Sequence, residues 1–232
     1  MLEELKERVC RANLRLVADG LVVMTWGNVS AIDRQAGLVV IKPSGLAYAG
    51  MRAEDMVVVS LADGEVVEGS LRPSSDTPTH LELYRAWKDV GGIVHTHSLF
   101  ATAWSQACRE IPALGTTHAD TFHGPVPCTR KLTPAEIAGD YEANTGKVIL
   151  ERFAQVNPWH FPAVLVAEHG PFAWGKDAQA AGDNALVLEQ VARLAAESLR
   201  LRPDLGPIQS EILDKHFLRK HGPGAYYGQE EK

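Results

Sequence analysis

An α/β fold, in which a mixed central β-sheet is sandwiched between helices in a single domain, is predicted by three features of this sequence. Amphipathic helical stretches alternate with short apolar runs typical of strands. No linker, internal repeat or low-complexity segment divides the chain. The length of 232 residues is sufficient for one large core. We therefore expect residues 1–232 to form one domain.

The first helix is predicted over residues 2–18, where apolar residues recur at i, i+3 and i+4 and Gly20 follows. Polar loops containing Gly27-Asn28 and Lys42 to Gly45 separate the next apolar runs. These runs predict strands at 21–26, 38–41, 56–60 and 65–68.

The middle of the chain contains helix-start signals. Thr77 as N-cap with Pro78 at the first helical position predicts a helix that leads into an apolar strand ending near His97. A further helix is expected from Ser98 to about residue 108, and a strand or loop over 113–120. A capping box, Thr133 with Glu136, opens another helical stretch, which we expect to break at 144–146 and to end near 155.

The C-terminal third begins with an apolar run at 163–167, typical of a buried strand, which ends next to His169. A long helix is predicted over 177–201 from its apolar stripe, and Pro203 ends it. A last helix is predicted from Pro207 to about residue 220.

Composition excludes several classes of function. The formal net charge is -6 and no basic block offsets it, which argues against a nucleic-acid or anionic-membrane partner. Three cysteines without C-x-x-C spacing fit a reducing compartment and offer no sulfur-rich metal site. No apolar run approaches the roughly 18 residues of a membrane span. We expect a cytoplasmic protein.

His95 and His97 suggest a metal site. Alternate residues of a strand share one face, so the two imidazoles would project side by side. Neutral imidazoles in this arrangement suit a divalent transition metal. The alternative is that one histidine is a buried hydrogen-bonding residue and the other is incidental.

Three further residues at the ends of predicted elements are candidate ligands: Asp76, His118 and His169. If the strands that end at His97 and His169 are neighbours, their imidazoles meet at one rim of the sheet. Three histidines with one carboxylate and an open position form a catalytic type of zinc site. Helix capping remains the alternative for Asp76, and an ordinary hydrogen-bonded strand end the alternative for His169.

Taken together and in order, several segments resemble the class II aldolase and epimerase family over nearly the whole chain, and within it the sugar-phosphate 4-epimerases. Any single segment is a weak signal, whereas the ordered set is highly specific. The segments are 25–30, 41–45, 73–80, 91–98, 115–120, 127–131, 169–175 and 213–229.

The resemblance implies a nine-stranded mixed sheet, a homotetramer and a phosphosugar substrate. It implies a Zn²⁺ ion, with Mn²⁺ or Co²⁺ as alternatives, held by Asp76, His95, His97 and His169. It implies an acid/base pair, Asp120 and Tyr227, with the tyrosine supplied by a neighbouring subunit. The substrate and phosphate contacts it implies are Gly27, Asn28, Lys42, Ser44, Gly45, Ser74 and Ser75.

The implied activity is epimerisation of L-ribulose 5-phosphate at C4 to D-xylulose 5-phosphate. Two other functions stay open: a true aldolase that releases the two fragments, and a non-catalytic interaction module that shares the fold. Asp76, where the aldolases tend to have glutamate, favours the epimerase, as do Asp120 and Tyr227. One departure from the family pattern is Glu168, a carboxylate beside the expected ligand His169.

Overall fold

Seven strands form one sheet in the computed structural model, which describes residues 2–228. They are β1 (Gly27–Asp33), β2 (Leu38–Ile41), β3 (Val57–Ser60), β4 (Val66–Glu68), β5 (Gly92–Thr96), β6 (Ala163–Leu165) and β7 (Pro171–Gly175). Their order is β4-β3-β2-β1-β5-β7-β6, and each neighbouring pair is antiparallel. The α/β class is confirmed. The expected nine strands of mixed direction are corrected to seven antiparallel ones, with a single parallel bridge joining Cys128 to Leu165.

Helices cover both faces of this sheet. They are α1 (Glu3–Ala18), α2 (Thr77–Ala86), α3 (Leu99–Gln106), α4 (Thr116–Ala119), α5 (Pro134–Ala138), α6 (Tyr141–Arg152), α7 (Ala178–Leu201) and α8 (Ser210–His221), with a short 3₁₀ helix at Ala53–Asp55. The apolar residues of α1, α3 and α7 pack on one face of the sheet, and those of α2 and α6 on the other. In the described range, no helix combines the length and apolar character needed to cross a membrane.

Three predicted elements are wrong in position. Residues 21–26 do not form a strand: Met24 has a positive φ of 54° and is 74% exposed, and pairing begins only at Gly27. The segment expected as strand or loop at 113–120 contains α4. The helical break lies at Gly139 and Asp140, where α5 ends and α6 begins, so 144–146 is continuous helix. The strand β7 was not predicted.

The start of α3 is held by a carboxylate from another helix. The N-cap residue Ser98 makes no side-chain capping bond. Instead Glu189 of α7, only 8% exposed, accepts hydrogen bonds from the backbone N–H groups of Phe100 at 2.8 Å and Ala101 at 2.9 Å. This contact satisfies two of the N–H groups that a helix leaves open and favours negative charge at the helix N-terminus. Glu189 therefore anchors the segment that follows His97.

Glu189→Ala should lower the free energy of unfolding by about 2–3 kcal/mol, because two buried N–H groups lose a charged acceptor. Urea denaturation measures the change. The matched control is Glu197→Ala on the same helix, whose partner Arg200 lies 2.8 Å away on the surface; we expect it to cost less than about 1 kcal/mol. Equal unfolding midpoints for the two variants would contradict the anchoring role.

Candidate metal centre

Two histidines at the end of β5 lie side by side. β5 is paired on one edge with β1 and on the other with β7, so its side-chain directions are fixed by two ladders. His95 lies within the strand and His97 one residue beyond its end. Their ring centroids are 4.9 Å apart, and their Nε2 atoms are 3.2 Å apart.

A third imidazole arrives from the turn between β6 and β7. The ring of His169 lies 4.8 Å from that of His95 and 5.2 Å from that of His97. This approach depends on Gly170, where a Cβ atom would meet the Thr96 carbonyl oxygen at 2.9 Å. The strand before His169, β6, is not the neighbour of β5, since β7 lies between them. The expected meeting of three imidazoles at one rim therefore occurs through a turn rather than through adjacent strands.

The three histidines fit a metal ion. Each offers a ring nitrogen, and these atoms all lie within 4.8 Å of one another. His95 Nδ1 lies 2.9 Å from the Pro171 carbonyl oxygen and donates to it, which leaves the Nε2 lone pair facing the cluster. Two nitrogens bound tetrahedrally to Zn²⁺ at 2.0–2.1 Å would be about 3.3 Å apart. The 3.2 Å separation of the two Nε2 atoms matches that spacing.

Two members of the cluster, His97 and His169, are held in the neutral form that metals bind. Burial, together with the neighbouring rings of His95 and His97, lowers the pKa of His169 to about 3. Burial also lowers the pKa of His97, with His95 adding to the effect. A cation therefore displaces no proton from His97 or His169 at physiological pH.

Asp76 lies beside the cluster but outside the group of mutually close ligand atoms. It occupies the N-cap position of α2 without making a side-chain capping bond, so helix capping does not explain it. Its Oδ2 accepts a 2.6 Å hydrogen bond from Asn28 Nδ2. Burial raises the pKa of the Asp76 carboxyl, but the imidazoles of His95 and His80 and the Asn28 amide outweigh burial and hold it below its ordinary value. Asp76 is thus an anion aimed at the same pocket.

The metal ligands and substrate contacts implied by the family resemblance all line one pocket of about 410 Å³. Its floor contains Lys42, 1% exposed, whose ammonium lies 3.2 Å from the Pro43 carbonyl oxygen and 4.8 Å from the ring centre of Tyr48. Burial lowers the pKa of Lys42, and between residues 2 and 228 no carboxylate pairs with it. The pocket members predicted from sequence are Gly27, Asn28, Lys42, Ser44, Gly45, Ser74, Ser75, Asp76, His95, His97 and His169.

The pocket also contains residues that the sequence analysis missed, notably Tyr141 and Glu142 at the start of α6. The Tyr141 hydroxyl lies 3.4 Å from His169 Nδ1. Burial raises the pKa of Tyr141, as do the charges of Glu142 and Asp76. Because the helical break was expected at 144–146, Tyr141 and Glu142 were assigned to the interior of a helix rather than to the start of one. The Gly139-Asp140 pair, a helix end followed by a turn residue, was the available signal.

Asp120 and Tyr227 do not line this pocket. Asp120 follows α4 and is held by α8: His216 Nδ1 and Arg219 Nη2 each lie 2.9 Å from its Oδ1, and Lys220 Nζ lies 3.2 Å from its Oδ2. The ring of Tyr227 packs against Arg219 and Lys220. Its centre lies 4.8 Å from the Arg219 guanidinium carbon and 4.2 Å from Lys220 Nζ. The proposed acid/base pair therefore forms one unit, away from the chain's own three histidines. Gln229, the end of the last resembling segment, lies outside the described residues.

Neither His118 nor Glu168, two further residues noted in the sequence, belongs to the histidine cluster. His118, a candidate ligand, is buried in α4 with its Nε2 2.7 Å from the Gly124 carbonyl oxygen, outside the cluster. Glu168, the departure beside His169, adopts a positive φ of 63° and is exposed. It forms an ion pair with Lys131. Its charge is neutralised at the surface rather than directed at the cluster.

Comparison with known proteins gives the same family that the motifs resemble. Residues 7–196 match the family model described as class II aldolase and adducin N-terminal domain. The sequence is 59% identical over 228 residues to the L-ribulose-5-phosphate 4-epimerase UlaF of Salmonella paratyphi A, covering 98% of this chain and 100% of that protein. The UlaF protein of Salmonella typhi matches to the same extent.

Two solved structures are similar in fold. An L-fuculose 1-phosphate aldolase superposes with a TM-score of 0.77 at 25% identity, over 92% of this chain and 94% of that one. YgbL from Escherichia coli, described as a putative aldolase/epimerase/decarboxylase, superposes with a TM-score of 0.74 at 25% identity, over 92% and 97%. The sheet and the pocket at its rim thus occur in a fold shared with aldolases.

Proposed function

The chain belongs to the class II aldolase and adducin family, and on that premise we propose that it is an L-ribulose-5-phosphate 4-epimerase. It interconverts L-ribulose 5-phosphate and D-xylulose 5-phosphate. The observation that carries the proposal is the meeting of three imidazoles in a pocket that also contains a buried lysine, for which residues 2–228 provide no carboxylate partner. Such a pocket suits a metal and a phosphosugar together.

The position of the inverted carbon restricts the chemistry. C4 lies β to the C2 carbonyl, so its C–H is not acidic and simple deprotonation does not invert it. Cleavage of the C3–C4 bond makes inversion possible. The C4 hydroxyl loses its proton, C4 becomes an aldehyde carbon, and the bonding electron pair stays on the C1–C3 fragment as an enediolate. When the aldehyde turns over and the bond forms again on its other face, C4 is inverted.

His95, His97 and His169, with Asp76 as fourth ligand, are the residues proposed to hold Zn²⁺, with Mn²⁺ and Co²⁺ as alternatives. When bound, the metal supplies Lewis-acid stabilisation of the negative charge that develops on the C2 and C3 oxygens. Three neutral ligands and one carboxylate leave a net positive centre. Asn28 orients Asp76 through its 2.6 Å hydrogen bond.

Lys42 and the surrounding loops are proposed to hold the phosphate while the aldehyde turns. The ammonium of Lys42 is buried and has no carboxylate partner among the described residues, so an incoming phosphate dianion would supply its counter-charge. Gly45 has a positive φ of 65°, and its loop, together with Ser44, Ser74 and Ser75, offers N–H and hydroxyl donors at the pocket wall. The phosphate is the anchor that keeps both fragments in the site.

Asp120 and Tyr227 are proposed as the acid/base pair for the C4 hydroxyl, one on each face of the aldehyde. Because both belong to the unit formed by α4 and α8, they reach a site together. The expectation that Tyr227 alone comes from a neighbouring subunit is therefore revised: a second copy supplies both residues to this chain's histidines. This requires a homo-oligomer, for which we propose the homotetramer.

Incubation with L-ribulose 5-phosphate tests the proposed activity. We expect D-xylulose 5-phosphate to accumulate to equilibrium without free glycolaldehyde phosphate, because the anchored fragments recombine. Enzymatic determination of both products measures this result. Net accumulation of glycolaldehyde phosphate would favour the aldolase, and absence of either product would exclude this substrate.

Subunit hybrids test the shared site. His97→Ala and Asp120→Asn are each expected to be inactive alone, since one lacks a proposed metal ligand and the other the acid/base group. Refolding an equimolar mixture should restore activity in up to about one quarter of the sites, those with the metal ligands from one variant and Asp120 from the other.

The control hybrid combines Asp120→Asn with Tyr227→Phe. Since one subunit supplies both residues to a site, no combination of these two variants contains an intact pair, and activity should stay absent. Restoration in this control, or failure of restoration in the first mixture, would contradict the shared site.

A further inference from the structure

A buried row of polar groups connects β1 to α2 behind the proposed metal centre. Asn28 and Ser30, two residues apart on β1, face the same side of the strand. Asp76, His80 and Tyr84, spaced by four, lie along one face of α2. Asn28 bonds to Asp76, and Ser30 Oγ lies 2.7 Å from His80 Nδ1 and 2.8 Å from the Tyr84 hydroxyl.

The row is sealed from solvent. Ser30, His80 and Tyr84 are each 0% exposed. Buried hydroxyl and imidazole groups need hydrogen-bond partners for their donors and acceptors. The direction of the hydrogen bonds is therefore determined by which arrangement leaves the fewest groups unpaired.

One arrangement satisfies both hydroxyls. Ser30 Oγ is the one hydrogen-bond partner of the Tyr84 hydroxyl among the described residues. The Tyr84 hydroxyl then donates to Ser30 Oγ, and the Ser30 hydroxyl donates to His80 Nδ1. In the reverse direction the Tyr84 proton would be buried without an acceptor. The arrangement places the imidazole proton of His80 on Nε2.

His80 Nε2 is buried and has no hydrogen-bond partner among the described residues. The carboxylate that interacts electrostatically with His80 is that of Asp76, one turn earlier at the start of α2. Asp76 is also the one proposed ligand that lies outside the group of mutually close ligand atoms. The two groups lie on the same side of α2: the His80 Nε2–H donor, which has no acceptor among the described residues, and the Asp76 carboxylate, which lies outside the cluster.

We propose that Tyr84, Ser30 and His80 form a positioning relay that presents the His80 Nε2 proton to the Asp76 carboxylate and so sets that carboxylate for metal binding. The relay rests on the proposed metal centre and extends it: Asn28 orients Asp76 from β1, and His80 orients it from α2. None of the three relay residues lines the pocket. Their effect is on the affinity and geometry of the metal.

Measurements of metal binding test this positioning role without an activity assay. Zn²⁺ affinity is determined by competition with a chromogenic chelator, and coordination by the visible absorption of the Co²⁺-loaded protein. Ser30→Ala and His80→Asn should each weaken Zn²⁺ binding by about 10-fold to 100-fold and alter the Co²⁺ spectrum. Tyr84→Phe, which removes only the first donor of the relay, should give a smaller change of the same sign.

Two comparisons separate positioning from packing. His80→Gln places an amide near the position of Nε2 and should retain most of the affinity that His80→Asn loses. Ser105→Ala removes an equally buried hydroxyl, bonded to the Ala101 carbonyl oxygen at 3.0 Å in α3, and should leave metal binding unchanged.

Several results would overturn the relay. One is wild-type affinity and spectrum in Ser30→Ala and Tyr84→Phe; another is an equal loss in His80→Gln and His80→Asn. If His80→Asn does not fold, the Ser30 and Tyr84 variants decide alone. A wild-type protein that binds neither Zn²⁺ nor Co²⁺ would refute the metal centre itself, and the relay with it.

Discussion

The double pairing of β5, with β1 on one edge and β7 on the other, is the constraint on which the rest of the site depends. Its register places Asn28 opposite His95 and His95 opposite Phe172, so these side chains form one row across three strands. The ring of His95 stacks on Phe172 with centroids 4.2 Å apart. A shift of one residue would turn His95 to the other face and separate it from Asn28 and Asp76.

The same ladder explains how residues distant in sequence become neighbours. β7 begins immediately after Gly170, so pairing of β7 with β5 brings the preceding turn, and His169 with it, to the end of β5. Gly170 permits the contact because a side chain there would collide with the Thr96 carbonyl. On the other edge, β1 brings Asn28 and Ser30 under α2. The proposed ligands and their supports are thus placed by backbone hydrogen bonds.

Much of the fold was predictable from local patterns, and the errors have physical reasons. The stripe in α1, the capping box of α5 and the long α7 are local signals and were correctly placed. The strand expected at 21–26 failed because apolar residues there include exposed ones such as Met24, and the polar segment after Gly27 forms the strand instead. Its partner β2 follows it closely, but its other partner, β5, begins only at Gly92, so no local pattern revealed β1 as a central strand.

For the site, the histidines were found because H-x-H is local, whereas Tyr141 and Glu142 were missed because only folding of α6 against α2 brings them to the pocket. The location of Asp120 and Tyr227 away from the pocket also depends on tertiary contacts with α8. Spacing suggested His95 and His97, and position at element ends and the family resemblance suggested His169 and Asp76. The direction of the hydrogen bonds around Asp76 required the packed helix and strand.

X-ray absorption at the zinc edge of the Zn²⁺-loaded protein tests the central claim most directly. The account predicts a first shell of nitrogen and oxygen at about 2.0–2.1 Å, with multiple scattering from three imidazoles and a carboxylate oxygen. A sulfur shell at about 2.3 Å, or scattering from fewer than three imidazoles, would contradict a centre built from His95, His97, His169 and Asp76.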